Sequence, residues 1–121
     1  MQRVILIAED YDDSRELLKI MLEMLGYSVE TAANGREAVN QVEKKFPDLI
    51  LMDISMPDVD GLAATQLIRS IEGARELPII VITAHTSKYY EKALEAGCNE
   101  VMSKPIDLAK LESVLTQYLP N

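Results

Sequence analysis

The chain alternates between two textures, and that alternation restricts its fold more than any single residue does. Short aliphatic or β-branched runs occur at Arg3–Ala8, Ser28–Ala32, Leu49–Asp53, Ile79–Thr83 and Glu100–Ser103. Longer segments with helical spacing separate them. Leu17, Leu18, Met21, Leu22 and Leu25 recur at steps of three and four in the first, and Leu108, Leu111, Val114, Leu115, Tyr118 and Leu119 do so in the last. Between these lie Ala38, Val39 and Val42, then Leu62, Leu67, Ile68 and Ile71, then Ala93 and Leu94. The pattern is a strand followed by a helix, five times over. The first, third and fourth strands are nearly continuous apolar runs, as strands covered on both faces of a parallel sheet must be. The second and fifth are shorter and more mixed, which suits sheet edges. An α/β fold follows: a five-stranded parallel sheet of order 2-1-3-4-5 with helices on both faces. This is the strand order of flavodoxin-like three-layer sandwiches.

Local punctuation supports these boundaries. Asp13 with Glu16, and Asn34 with Glu37, have capping-box spacing, and Asp60, Thr86 and Asp107 are further N-cap candidates. Gly26 and Gly97 stand where a left-handed C-cap favours glycine, and Pro47 and Pro78 precede the third and fourth strands. At 121 residues the chain reads as a single domain, 1–121, with no output domain after its last helix. One cysteine, Cys98, excludes an internal disulfide and a cysteine-rich zinc site. No apolar stretch nears the roughly 20 residues that span a bilayer, and the start lacks a signal-peptide cleavage site. A cytoplasmic protein with no membrane partner is expected. A net charge of −8 disfavours nucleic acid as a partner.

In an open α/β sheet, function lies beyond the carboxyl ends of the strands. The first strand ends on Glu9 and Asp10, the third on Asp53, the fourth on Thr83, and the fifth runs into Lys104. A lone acid at a strand end is ordinarily a cap or a solvated loop residue. Five chemistry-bearing residues at one sheet edge are far more specific. Carboxylates gathered this way repel one another, and a hard divalent cation resolves the conflict. Mg²⁺ takes oxygen ligands, uses one or two carboxylates and keeps several waters. Asp10 and Asp53 are the candidate direct ligands, Glu9 acts through a water, and the Ser55 backbone carbonyl supplies another oxygen. Such a metal leaves room for a phosphate oxygen. Lys104 then balances phosphoryl charge, the Thr83 hydroxyl donates to it, and Asp53, between metal and lysine, is the candidate nucleophile of an acyl phosphate. His85 reads as exposed or structural and Cys98 as packing. Tyr89 and Tyr90 read as either a partner patch or ordinary partial burial.

Four segments, "ILIAED", "PDLILMDISMPDVDGL", "LPIIVITA" and "MSKPI", resemble a response-regulator receiver domain of two-component phosphorelay systems, and the resemblance runs from Met1 to about Leu119. It implies Asp53 as phosphoacceptor, a Mg²⁺ site of Glu9, Asp10 and Asp53, Thr83 as switch hydroxyl, and Lys104 as the phosphate-contacting ammonium. It implies a histidine kinase or histidine phosphotransfer protein as donor and an unidentified protein as downstream target. It also implies a cis peptide before Pro105, of the kind X–Pro bonds permit. One position departs from the pattern: Val101 stands where the family usually carries Tyr or Phe, so the usual ring is missing from the relay. Two other readings compete. Asp10 and Asp12 form a D-x-D pair resembling the nucleophile and acid of haloacid-dehalogenase-type phosphatases, and an inactive receiver-like interaction module would need no chemistry at all.

Overall fold

The computed structural model describes residues 2–54 and 60–120. The Ser55 carbonyl and Pro57 lie outside the described residues. Ten elements alternate along the chain: β1 (Val4–Ala8), α1 (Asp12–Met24), β2 (Ser28–Ala32), α2 (Gly35–Lys44), β3 (Leu49–Asp53), α3 (Gly61–Arg69), β4 (Ile79–Thr83), α4 (Thr86–Ala96), β5 (Glu100–Ser103) and α5 (Leu108–Tyr118). The strands form one all-parallel sheet in the order β2-β1-β3-β4-β5. The two mixed strands are its edges, and every residue of β3 and β4 is buried.

Side chains alternate across a strand, so each central strand feeds two cores. Leu6, Ala8, Ile50, Met52, Ile79 and Val81 face one side and pack with Ala38 and Val42 of α2, Ala64 and Ile68 of α3, and Ala93 of α4. Ile5, Ile7, Leu49, Leu51, Ile80 and Ile82 face the other, with Leu18 and Leu22 of α1 and Leu111 and Leu115 of α5. The layers are therefore α1 and α5 below, the sheet, and α2, α3 and α4 above. Doubly covered strands explain why those runs carry no polar alternation.

Some expected details differ. The apolar stripes are narrower than the sequence spacing suggests, because Leu17, Leu67, Leu94 and Leu108 are exposed. The capping box expected at Asp13 does not form: α1 begins two residues earlier, with Tyr11 at the N-cap position, and Asp12 pairs with Arg15 instead. Thr86 is the first residue of α4 rather than its cap. The N–H of the preceding His85 is taken up by the Thr83 hydroxyl oxygen at 3.0 Å, so the strand's last residue secures that turn. Asn34, Asp60 and Asp107 do cap their helices through side-chain oxygens, as expected. Gly26 and Gly97 take the expected positive φ, 96° and 114°.

Candidate functional site

Strand register assembles the site. Ala8 pairs with Met52 and Asp53 pairs with Ile82, so Glu9 follows β1 level with Asp53, while Thr83 stands one step beyond on β4. Thr83 pairs with Ser103, which leaves Lys104 as the first residue past β5. The carboxyl ends of four strands thus bring these groups to one edge. Three of them are nearly inaccessible: Glu9 is 1 %, Asp53 3 % and Thr83 4 % exposed. Carboxylate oxygens of Glu9, Asp10 and Asp53 lie within 4.8 Å of one another, the one such acidic or metal-ligating group among the described residues.

Lys104 Nζ sits between two of these acids, 3.3 Å from Glu9 Oε2 and 3.4 Å from Asp53 Oδ1. Burial pushes the Glu9 carboxyl above its ordinary range and the charge on Asp53 adds to the push, while Lys104 and the Tyr11 N–H oppose it. Burial of the Lys104 ammonium disfavours its charge, but the carboxylates of Asp53 and Glu9 outweigh that and hold its pKa above the usual lysine value. Lys104 is therefore a cation throughout the neutral range.

The backbone around the acids is tightly held. The Glu9 N–H donates to the Ala32 carbonyl at 3.0 Å, and the Tyr11 N–H reaches back to Glu9 Oε1 at 3.3 Å. The Lys104 N–H donates to the Thr83 carbonyl at 3.0 Å, and the Lys104–Pro105 peptide is cis, as expected. Gly61 opens α3 directly against the strand that carries Asp53. A Cβ at Gly61 would lie 2.0 Å from the Asp53 carbonyl oxygen, so only glycine allows this approach.

Glu9, Asp10, Asp53 and Lys104 thus meet in one place. Thr83 is buried at the end of the adjoining strand, and its hydroxyl oxygen is engaged by the β4–α4 turn. Val101 lies half-buried on β5 and packs against the same core as Tyr89 of α4. Tyr90 and His85 are exposed, and Cys98 is buried as packing. Asp12 does not join the acidic group: its side chain is 86 % exposed and bonded to Arg15. Sequence reading missed Arg15, whose guanidinium also donates to the Glu9 carbonyl at 2.8 Å. The Asp12–Arg15 spacing was a readable helical pair, but the reach back to Glu9 depends on how tightly the strand turns into the helix.

This geometry has close counterparts. The family model for the response regulator receiver domain matches residues 5–116. The chain belongs to the response regulator receiver domain family. It is 33 % identical over 120 residues to the polar-differentiation response regulator DivK of Brucella ovis, covering 98 % of each chain. It is 36 % identical over 117 residues to the signal transduction histidine-protein kinase BarA of Shigella flexneri, covering 96 % of this chain but only 13 % of that kinase. Receivers of both sizes of protein are thus among its relatives. The receiver domain of the sensor histidine kinase PA1611 from Pseudomonas aeruginosa superposes with a TM-score of 0.94 at 36 % identity, covering 100 % of both chains, and holds a magnesium ion in its active site cleft. Membership of this family removes the support for the phosphatase reading of Asp10 and Asp12. Among the described residues, no helix is long and apolar enough to cross a membrane.

Proposed function

We infer that this chain is a phosphorylation-dependent signalling switch that accepts a phosphoryl group on Asp53 from a phosphohistidine of a histidine kinase or phosphotransfer protein. The observation that carries this reading is the ammonium of Lys104 set between two buried carboxylates, beside the third. In the transfer, the N–P bond of the donor imidazole breaks and a P–O bond forms to a carboxylate oxygen of Asp53. The imidazole nitrogen keeps the electron pair. Such transfer needs positioning and charge neutralisation more than covalent assistance. Asp53 is positioned by a fully buried strand, and Lys104 lies within reach of the oxygens that gain charge. Thr83 offers a hydroxyl donor from the neighbouring strand.

The donor set suits Mg²⁺: three carboxylates, no nitrogen or sulfur ligand, and an exposed Asp10 open to hydrated metal. When bound, Mg²⁺ supplies neutralisation of the phosphoryl oxygens. Asp10 and Asp53 would hold it directly and Glu9 through water, with the Ser55 carbonyl as a further oxygen. The same arrangement serves hydrolysis of the acyl phosphate, so the domain promotes its own loading and clearing without being an enzyme on other substrates. An apolar groove lined by Leu17, Leu18, Met21, Pro105 and Ile106 opens beside Glu9 and Lys104, which supports delivery by a protein donor. Output runs by protein–protein contact in the cytoplasm. With Val101 in the place of a ring, the route from Thr83 leads through His85 into the first turn of α4. Incubation with a ³²P-labelled phosphohistidine donor and Mg²⁺ tests the reading: wild type takes up label, Asp53→Asn does not, and equal labelling of the two refutes the assignment.

A further inference from the structure

Two of the site's three acids, Glu9 and Asp10, sit on a loop whose helix has no side-chain cap. Three residues, Glu9, Asp10 and Tyr11, join β1 to α1. Tyr11 occupies the N-cap position, and its side chain makes no capping bond. Helix starts usually gain stability from a Ser, Thr, Asp or Asn side chain at this position, and here that support is missing. Arg15, one turn inside the helix, ties this turn together by a different bond, donating back towards the strand rather than accepting from the helix N–H groups. Its Nη1 donates to the Glu9 carbonyl at 2.8 Å, six residues back, and its Nη2 donates to Asp12 Oδ1. The Arg15 side chain is only 22 % exposed, unlike the 86 % of Asp12, so it lies along the protein rather than waving in solvent.

The consequence concerns Asp10. Glu9 is fixed from every side: by Ala32 through its N–H, by Arg15 through its carbonyl, and by Tyr11 and Lys104 through its carboxylate. Asp10 is exposed and comes next in the chain, so the direction of its carboxylate follows from the Glu9 carbonyl on one side and the first turn of α1 on the other. Among the described residues, Arg15 is the one side chain that bonds to both. We propose that Arg15 is a positioning residue for the cation site: it ties the Glu9 carbonyl to Asp12 and thereby sets where Asp10 meets a divalent cation. The proposal rests on the reading of Glu9, Asp10 and Asp53 as a Mg²⁺ site.

The charge of Arg15 makes the test sharp, because charge and positioning have opposite signs. A guanidinium bonded to the backbone of Glu9 repels a cation held at the site, so a purely electrostatic role predicts tighter binding once it is removed. Loss of a positioning bond predicts weaker binding, on the order of tenfold, as for outer partners of other metal ligands. Arg15→Lys keeps the charge but offers a compact ammonium that cannot match a fork holding two acceptors. Its affinity is expected between those of Arg15→Ala and wild type.

The experiment titrates MgCl₂ into wild type, Arg15→Ala and Arg15→Lys, following backbone amide shifts of residues 9–12 and heat of binding, with circular dichroism as the check on folding. Metal-free spectra of the variants should already show displaced Asp10 and Tyr11 amide signals and faster hydrogen exchange there. The proposal predicts Mg²⁺ affinity falling about tenfold in Arg15→Ala and less in Arg15→Lys. Unchanged or tighter binding by a folded Arg15→Ala overturns the role of Arg15 while leaving the Mg²⁺ site intact. If Arg15→Ala does not fold, wild-type affinity in Arg15→Lys overturns it. A wild-type chain that binds no Mg²⁺ overturns the site itself, and the role of Arg15 with it.

Discussion

Substituting Gly61 by alanine should be among the most damaging single-methyl changes in the protein. The Cβ would stand 2.0 Å from the carbonyl oxygen of Asp53 and 2.8 Å from both its carbonyl carbon and the Ile54 Cα. These are backbone atoms, so no side chain can swing away. Relief to ordinary contact near 3.5 Å requires a relative shift of roughly 1.5 Å between α3 and β3. β3 is buried along its whole length and paired on both sides, and α3 is held by the Gly61 N–H to the Ile54 carbonyl at 3.0 Å and by the Thr65 hydroxyl to the Gly61 carbonyl at 2.8 Å. Overpacking of this kind costs about 3 kcal/mol, the upper end of its usual range, because neither side can yield cheaply. With a urea slope of about 2 kcal/mol per molar for a domain of this size, the midpoint should fall by about 1.5 M. Gly26→Ala is the control. Gly26 has φ 96° and nothing within 4 Å of an added Cβ, so it carries only left-handed backbone strain, about 1 kcal/mol. Urea denaturation followed by circular dichroism measures both. A Gly61→Ala protein as stable as wild type, or hurt less than Gly26→Ala, refutes the claim that α3 rests on the backbone of Asp53.

Other perturbations have defined outcomes. Glu9 has a folded pKa above its unfolded value of 4.5, so its contribution to stability is full below that value and is lost as pH rises through the raised one. Lys104→Met removes a charge that opposes this rise, and metal-free urea titrations should show a steeper fall in stability from pH 4.5 towards neutrality; an unchanged slope contradicts the pairing. Mg²⁺ at about 100 times its Kd should add about 2.7 kcal/mol to wild type at neutral pH, reversed by EDTA, and much less to Asp10→Asn. Arg69 donates to the carbonyls of Gly97, Ala74 and Leu77 and to Asn99 Oδ1, so Arg69→Met strands several acceptors and should cost about 3 kcal/mol by calorimetry. Ile20→Asp on the exposed face of α1 should slow phosphotransfer from a histidine kinase while leaving loading from acetyl phosphate unchanged; equal slowing of both argues against docking there.

The fold was legible because its strands differ in kind. Continuous apolar runs at β1, β3 and β4 can only be covered on both faces, and the mixed β2 and β5 can only be edges, which leaves one natural order. The site was legible for a related reason: strand ends are countable in sequence, so Glu9, Asp53, Thr83 and Lys104 could be set on one edge before any distance was known. What escaped is what depends on a turn's path. Asp13 has capping spacing but the helix starts before it, since Arg15 offers Asp12 a charged partner. Thr86 has capping chemistry, yet the Thr83 hydroxyl reaches the turn first. Arg15 drew no reading from the sequence, because a bond spanning six residues across a strand-to-helix turn leaves no periodic trace. Leu17, Leu67 and Leu94 carried helical periodicity without burial, since spacing marks a face but not how far a neighbour covers it.

The central claim is that Asp53 is the group that becomes phosphorylated. Reductive trapping tests it directly. The protein is loaded with phosphoramidate and Mg²⁺, reduced with borohydride, which converts an aspartyl phosphate to homoserine, and its peptides are sequenced by mass spectrometry. The account predicts homoserine at position 53, dependent on Mg²⁺ and lost on prior addition of EDTA. Homoserine at Asp10 or Asp12, or at no position in a folded, Mg²⁺-binding protein, contradicts it.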